Sequence, residues 1–225
     1  MAEIIRKAGD VLVNVNLVPA KSMAHVVPKG ARIHELLPGV ACYAVGLFKY
    51  SRLYDPRPGC EKDDFLDCYD AGILIPVDYP GRGTVQHVMR LCNTDPNVVT
   101  WAAGANMAKR PVAVQWTEKG DRIEVEATAE NNERYVIEGS PLVSLPAAVW
   151  RLWPTSLFAS GFMAREKDGV MWAFPFKVGI AQAKTYLFRG HAHLEGFDLP
   201  KPTMSVTVLV RNFTPFTMWE AERIP

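Results

Sequence analysis

The chain has 225 residues, 48% of them hydrophobic, with 25 lysines and arginines against 24 acidic residues and a formal charge of +1. Such a balance gives no global attraction to nucleic acid or to an anionic membrane, no apolar run is long enough to span a bilayer, and the amino-terminal MAEIIRKAGD lacks the apolar stretch of a secretory signal. Cys42, Cys60, Cys68 and Cys92 show no C-x-x-C spacing and read as reduced thiols, so a single cytoplasmic domain over residues 1–225, with a substantial core, is expected.

Asp10 to Leu17 alternates, Val11, Val13, Val15 and Leu17 against Leu12, Asn14 and Asn16, and predicts a strand. Pro19 to Val27 reads as a short helix opened by proline and closed before Pro28. Ala41 to Tyr50 is apolar enough for a buried strand, and Ser51 to Asp64, with Pro56, Pro58, Gly59 and a run of charge, reads as a long loop. In Phe65 to Val77, FLDCYDAGILIPV, the apolar half should lie inside, and Pro76 suggests that the strand ends or meets an edge there. Asp70 interrupts this apolar element, and a carboxylate so placed needs a partner if it is buried. Tyr79 to Gly83 is a turn and Val85 to Cys92 a strand; His87 and Met89 read there as packing residues.

Asp95 and Pro96 open a helix, since aspartate caps the first free amides and proline loses nothing at the first helical position. The helix runs through Val98, Val99, Trp101 and Ala102 and should stop near Gly104 in a left-handed cap. Lys109 and Arg110 follow, then a strand with Val112, Val114 and Trp116 on one face. Arg122 to Thr128 pairs back across Lys119-Gly120-Asp121, and Glu133 to Gly139 continues the meander. Pro146 to Pro154, with Trp150 and Trp153, reads as a short helix or buried turn, and further strands are expected at Phe158–Ala164, Val170–Val178, Thr185–Phe188 and Ser205–Val210. The excess of short strands over helices points to a curled sheet or barrel with a few flanking helices.

Lys109 and Arg110 carry the chemical interest. A lysine beside a second cation and partly out of water is driven toward its neutral, nucleophilic form; repulsion across ~6 Å at an effective dielectric of ~20 is about 3 kcal/mol. A Lys-Arg pair is also an ordinary surface feature, and adjacent strand residues point to opposite faces, so close approach of the two needs irregular backbone, which Pro111 favours. His191, His193 and Glu195 at alternate positions have metal-ligand character, but Gly190 and Gly196 bracket them and a solvated loop without metal is expected.

With Asp70, Lys109 and Arg110 in view, the chain resembles the acetoacetate decarboxylase family. That family has a segment E-P-x-x-x-x-G-R-E leading to two adjacent lysines; Asp95 to Arg110 lies against it without a gap, which implies that Lys109 is the Schiff-base lysine and that Arg110 replaces its activating neighbour. Asp70 to Val77, DAGILIPV, is similar to a segment opening with an active-site glutamate and ending I-P-V, so Asp70 falls on that glutamate; Leu12 to Pro28 resembles the family's strand, helix and V-V-P sequence. The glycine-arginine-glutamate triplet falls on Trp101-Ala102-Ala103, the amino-terminal arginine on Gly9, and the second glutamate within the apolar run Cys42 to Phe48.

The resemblance implies the family's closed barrel, a homo-oligomer, and a cofactor-independent lyase that forms an iminium on Lys109 with a small carbonyl substrate, with Arg110 lowering the amine's proton affinity and Asp70 moving protons. The lost charges suit a keto acid or other carbonyl compound undergoing decarboxylation, aldol cleavage, condensation or dehydration better than acetoacetate itself. Tyr43, Met89, Trp101 and Met107 are candidates to line a larger, more apolar pocket. The competing class is a non-catalytic barrel that binds a small apolar ligand.

Overall fold

The structure, a computed structural model, describes residues 3–54, 68–146, 149, 160–179 and 183–224. These form one sheet of thirteen strands: β1 (Glu3–Pro19), β2 (Arg32–Ile33), β3 (Val40–Tyr54), β4 (Tyr69–Tyr79), β5 (Gly83–Asn93), β6 (Arg110–Lys119), β7 (Arg122–Ala129), β8 (Arg134–Leu145), β9 (Ser160–Lys167), β10 (Val170–Val178), β11 (Lys184–Glu195), β12 (Met204–Trp219) and β13 (Glu222–Ile224). One α-helix, α1 (Pro96–Gly104), and 3-10 turns at Ala20–Val26 and Glu130–Asn132 accompany them. The architecture is the mainly antiparallel, closed β-structure with few helices that the resemblance implies; the pattern of short strands by itself left a curled sheet open.

Closure occurs twice. Strand β12 pairs with β1, β10 and β11, and β5 pairs with β4, β6 and β9. These two junctions join three walls: β1-β3-β4, β6-β7-β8-β11 and β9-β10. The first wall is shared. One of its faces packs with the second wall around a larger core that includes Leu12, Tyr43, Leu47, Ile73, Tyr135 and Ile137. Its other face packs with the third wall around a smaller core that includes Val11, Tyr50, Phe174, Phe176, Phe213 and Phe216. A wall covered on both faces needs continuous apolar runs, which is what Ala41–Tyr50 and Ala71–Val77 supply. Alternating β1 follows the same rule: Val11 enters the smaller core, and Asn14 and Asn16 are also buried, with Asn16 donating to Asn14 Oδ1 at 2.6 Å and Asn14 to Thr207 Oγ1 at 2.8 Å.

Two expectations are corrected and one is decided. Of the two readings of Pro76, a strand end or an edge, the edge is realised, and β4 runs on through Pro76 to Tyr79. Its pairing with β3 stops at Leu74 and that with β2 starts at Val77, so the missing N–H falls in a gap between neighbours, on the edge where Pro76 O accepts from His34 N. His191 to Glu195 is strand, the end of β11 paired to β8, not a loop. Gly190 faces Gly139 inside that ladder, and a Cβ on Gly190 would lie 1.9 Å from Glu138 O, so this glycine marks close backbone approach where the sequence suggested a break. Finally, Gly104 is the last helical residue, and the left-handed position falls on Asn106, φ 62°, a residue type that tolerates it. Residues 55–64 of the expected loop, including Cys60, residues 65–67, Phe158, and most of Pro146–Pro154 with Trp150 and Trp153 lie outside the described residues.

Candidate active site

Helix α1 begins as its sequence requires: Asp95 Oδ1 accepts from Asn97 N at 2.8 Å and Pro96 occupies the first turn. Val98 and Ala102, one turn apart, seat it on the smaller core. At its far end Met107 N bonds Ala102 O at 2.8 Å, and Lys167 Nζ bonds both Ala103 O at 2.6 Å and Asn106 Oδ1 at 3.2 Å, a cation where the helix dipole favours one. The chain between helix and strand is thus held down, with Met107 buried, and Lys109 enters the interior one residue before β6.

There Lys109 meets Asp70. The ammonium lies 2.5 Å from Oδ1 and 2.7 Å from Oδ2, and the two side chains are 0% and 1% exposed. Two further donors complete the carboxylate: Tyr50 OH to Oδ2 at 2.7 Å and Asn93 Nδ2 to Oδ1 at 2.7 Å. Asn93 also accepts from Asp95 N at 2.7 Å, so one amide ties the helix cap to the carboxylate. Burial, then the charge of Asp70 and the bond to it, push the Tyr50 phenol well above its ordinary range; it stays protonated and donates. An isolated buried ion would cost several kcal/mol, and here the carboxylate's acceptor positions are filled by three side chains.

Tyr50 and Asn93 were not legible as site residues. Tyr50 ends the expected strand Ala41–Tyr50 and Asn93 directly follows the expected strand Val85–Cys92, and a polar group in that position is the only signal; nothing in the sequence says that both converge on Asp70. Arg110 stands opposite Cys92 in the parallel β5–β6 pairing, and its charge acts on Cys92, Tyr135 and Arg165, groups associated with the larger-core side. The immediate partner of Lys109 is therefore a carboxylate, which the sequence placed nearby only through a resemblance.

A cavity of ≈ 60 Å³ lies on the Asp70 face of the shared wall, lined by Ala44, Gly46, Phe48, Leu74, Phe213 and Phe216 among others, all apolar. It borders the polar centre through aromatic rings: Phe48 and Phe213 stand 5.8 and 6.4 Å from the Tyr50 ring. Of the four expected lining residues, Trp101 and Met107 pack in the smaller core with α1. Tyr43 and Met89 pack in the larger one, because the pleat of β3 turns Tyr43 away from Ala44 and Gly46 and, in β5, Met89 falls at the register shift. Tyr43 OH instead donates to Pro200 O at 3.3 Å.

Gly9, where the resemblance places a family arginine, pairs with Tyr50 at the same end of the wall. It has φ +155°, and a Cβ there would lie 2.0 Å from Lys49 O, so no side chain enters the site from that position without moving the strands. His193 Nε2 lies 3.0 Å from Glu195 Oε1 on an exposed face, and among the described residues no group of three or more His, Cys, Asp or Glu side chains is arranged to hold a metal ion. No helix of the described residues is long and apolar enough to cross a membrane.

No protein-family model and no curated protein matches the sequence. Solved structures do. The enduracididine biosynthesis enzyme MppR with HEPES bound superposes with a TM-score of 0.68 at 12% identity, over 100% of this chain and 88% of that one. Acetoacetate decarboxylase from Legionella pneumophila gives 0.68 at 13% identity, also over 100% and 88%. An acetoacetate decarboxylase-like enzyme from Sphingomonas wittichii RW1 gives 0.62 at 11%, over 100% and 94%. Across its whole length, the chain has the acetoacetate decarboxylase fold.

Proposed function

We propose that the protein is a lyase whose Lys109 forms a Schiff base with a carbonyl substrate bearing an apolar substituent. The observation that carries the reading is the buried amine held against one fully hydrogen-bonded carboxylate, whose donor Tyr50 packs against Phe48 and Phe213, two of the rings that line an apolar hollow. Among proteins of this fold, MppR is known as a complex with pyruvate and as one with the condensation product of pyruvate and imidazole 4-carboxaldehyde. Carbonyl capture and carbon-carbon bond formation are therefore reasonable chemistry for this scaffold.

In the proposed sequence Lys109 passes a proton to Asp70 as the substrate carbonyl approaches, and the freed amine attacks the carbonyl carbon. Asp70 returns the proton to the carbinolamine hydroxyl, which leaves as water and gives the iminium. The electron pair of the adjacent carbon-carbon bond then flows to the iminium nitrogen. In a β-keto acid carbon dioxide leaves; in an aldol cleavage the β-hydroxyl gives its proton to Asp70 and a second carbonyl compound leaves. The enamine carbon takes up a proton, and water releases the product and restores Lys109. Tyr50 and Asn93 are positioning residues that hold the carboxylate. Arg110 has a smaller part than the sequence suggested, a background positive potential behind the strand. Arginine is not needed inside the pocket if the substrate is mostly apolar.

Borohydride reduction in the presence of a panel of 2-oxo and 3-oxo compounds and aryl or alkyl aldehydes tests the reading. A stable mass increment on the Lys109 peptide, lost in Lys109→Ala, is expected. If apolar carbonyl compounds bind and raise the melting temperature but none is trapped, the protein is a binding barrel instead, and the all-apolar hollow is its ligand site.

A further inference from the structure

A second polar cluster lies where β5 forks. The edge of β5 away from β4 pairs with β9 at Gln86 and His87 and with β6 at Cys92 and Asn93, in parallel both times. Between these pairings β5 has neither neighbour, and Arg165 Nη1 donates to Val88 O at 3.0 Å. Arg90 lies in the same gap, bonding Glu133 Oε1 at 2.9 Å and Met89 O at 3.2 Å. Arg110 enters from β6, near enough for its charge to act on Tyr135 and Arg165. Of these guanidinium groups Arg90 is the one bonded to the Glu133 carboxylate, and Arg110 and Arg165 add positive charge around Cys92 on the larger-core side.

The cluster is also incomplete. Tyr135 OH, Glu133 Oε2 and Arg165 Nε are buried and, among the described residues, none has a hydrogen-bond partner. Tyr135 is 0% exposed and Glu133 4%. Groups of this kind are costly to leave unpaired; Glu133 and Tyr135, two residues apart in extended chain, share a face beside Arg90, and Arg165 reaches the neighbouring Val88 O, so the orphaned groups call for an occupant. The donor table restricts its chemistry. Arg165 Nε–H must donate, Tyr135 OH donates or accepts, and the ionised Glu133 Oε2 only accepts. An occupant that meets all three accepts from the guanidinium and phenol and donates to the carboxylate. A bridging water can donate and accept in this way but carries no charge to balance the arginines. Arg90, with its side chain 30% exposed, gives the cluster an outlet to the surface.

We propose that this fork binds a small oxyanion that carries its own O–H, the chemistry shared by hydrogen phosphate and 2-hydroxy carboxylates. The guanidinium groups match a planar or tetrahedral oxyanion in charge and fork geometry, and the anion's hydroxyl reaches Glu133. The site lies apart from Lys109 and does not depend on the carbonyl chemistry.

Calorimetric titration of the full chain with inorganic phosphate, sulfate and lactate, at constant ionic strength in chloride, tests this. Saturable single-site binding of phosphate or lactate is expected, with sulfate, which lacks the O–H, about tenfold weaker; whichever of the first two binds more tightly identifies the source of the anion. Tyr135→Phe should weaken binding by about tenfold without lowering the melting temperature in anion-free buffer, since the orphaned hydroxyl is removed. Arg165→Gln is the second variant should that one fail to fold, and it should abolish binding. Lys109→Ala should bind the anion like the parent chain, so failure here is separable from failure of the Schiff-base reading. Absence of saturable heat with all three anions, equal affinity for sulfate and phosphate, or unchanged binding in both variants would overturn the proposal.

Discussion

Breaking the Lys109–Asp70 pair from one side only should be among the most damaging changes available to the core. Asp70→Asn keeps the shape of the side chain but leaves an ammonium 0% exposed against a neutral amide. Removing one partner of a buried pair costs about 3–5 kcal/mol, against a total stability of about 5–15 kcal/mol for a typical domain. At about 2–4 °C per kcal/mol for a chain of this size, the melting temperature should fall by roughly 10 °C. Lys109→Met leaves the carboxylate with Tyr50 and Asn93, each at 2.7 Å, so its cost should be smaller, about 2–3 kcal/mol. The double variant removes both charges and should recover most of the loss, because a buried pair replaced as a unit is often close to neutral. Equilibrium urea unfolding of the four proteins closes the cycle. A coupling of at least about 3 kcal/mol is expected; if the two single losses instead add to within about 0.5 kcal/mol, the two side chains do not form a desolvated ion pair and the site as described is wrong.

Tyr50→Phe deletes one charge-assisted bond to Asp70 and should cost about 1.5–3 kcal/mol in urea unfolding while slowing borohydride trapping at Lys109 without abolishing it. For His87, burial and then the Arg165 cation lower the imidazole from 6.5 to about 4. The unfolded chain therefore binds the proton first as pH falls, and stability should decrease between pH 6.5 and 4 by at most about 3 kcal/mol; His87→Gln should flatten that part of the pH profile, and an unchanged slope would show that other groups set it. Gly190→Ala places a methyl 1.9 Å from Glu138 O and should destabilise the chain by about 3 kcal/mol or more, whereas the same change at Gly104, with open space around its Cβ position, should be tolerated; equal effects in thermal unfolding would refute the account of the β8–β11 ladder.

Much of the architecture is local in origin and was open to reading. The Asp95-Pro96 start of α1, the hairpin at Lys119-Gly120-Asp121 and the apolar runs of β3 and β4 depend on capping geometry, turn chemistry and side-chain period, and each appears where those rules place it. Where the reading went astray, distant chain had intervened. Gly190 looks like a terminator in one dimension, and Pro76 like a terminator or an edge, yet each sits inside a strand because of which neighbour is missing or which backbone comes close.

From the residues alone came a β-rich domain, a reactive-looking lysine and a carboxylate stranded in an apolar strand. Pairing Asp70 with Lys109, 39 residues apart, and adding Tyr50 and Asn93 to them, is the work of three-dimensional closure: β3, β4 and β5 lie side by side, and α1 returns the chain alongside the end of β5. Tertiary structure also decided which face of the wall each side chain serves. A strand's period distinguishes its two faces, but when both are buried only the surrounding walls determine which meets the reactive amine and which the packed core.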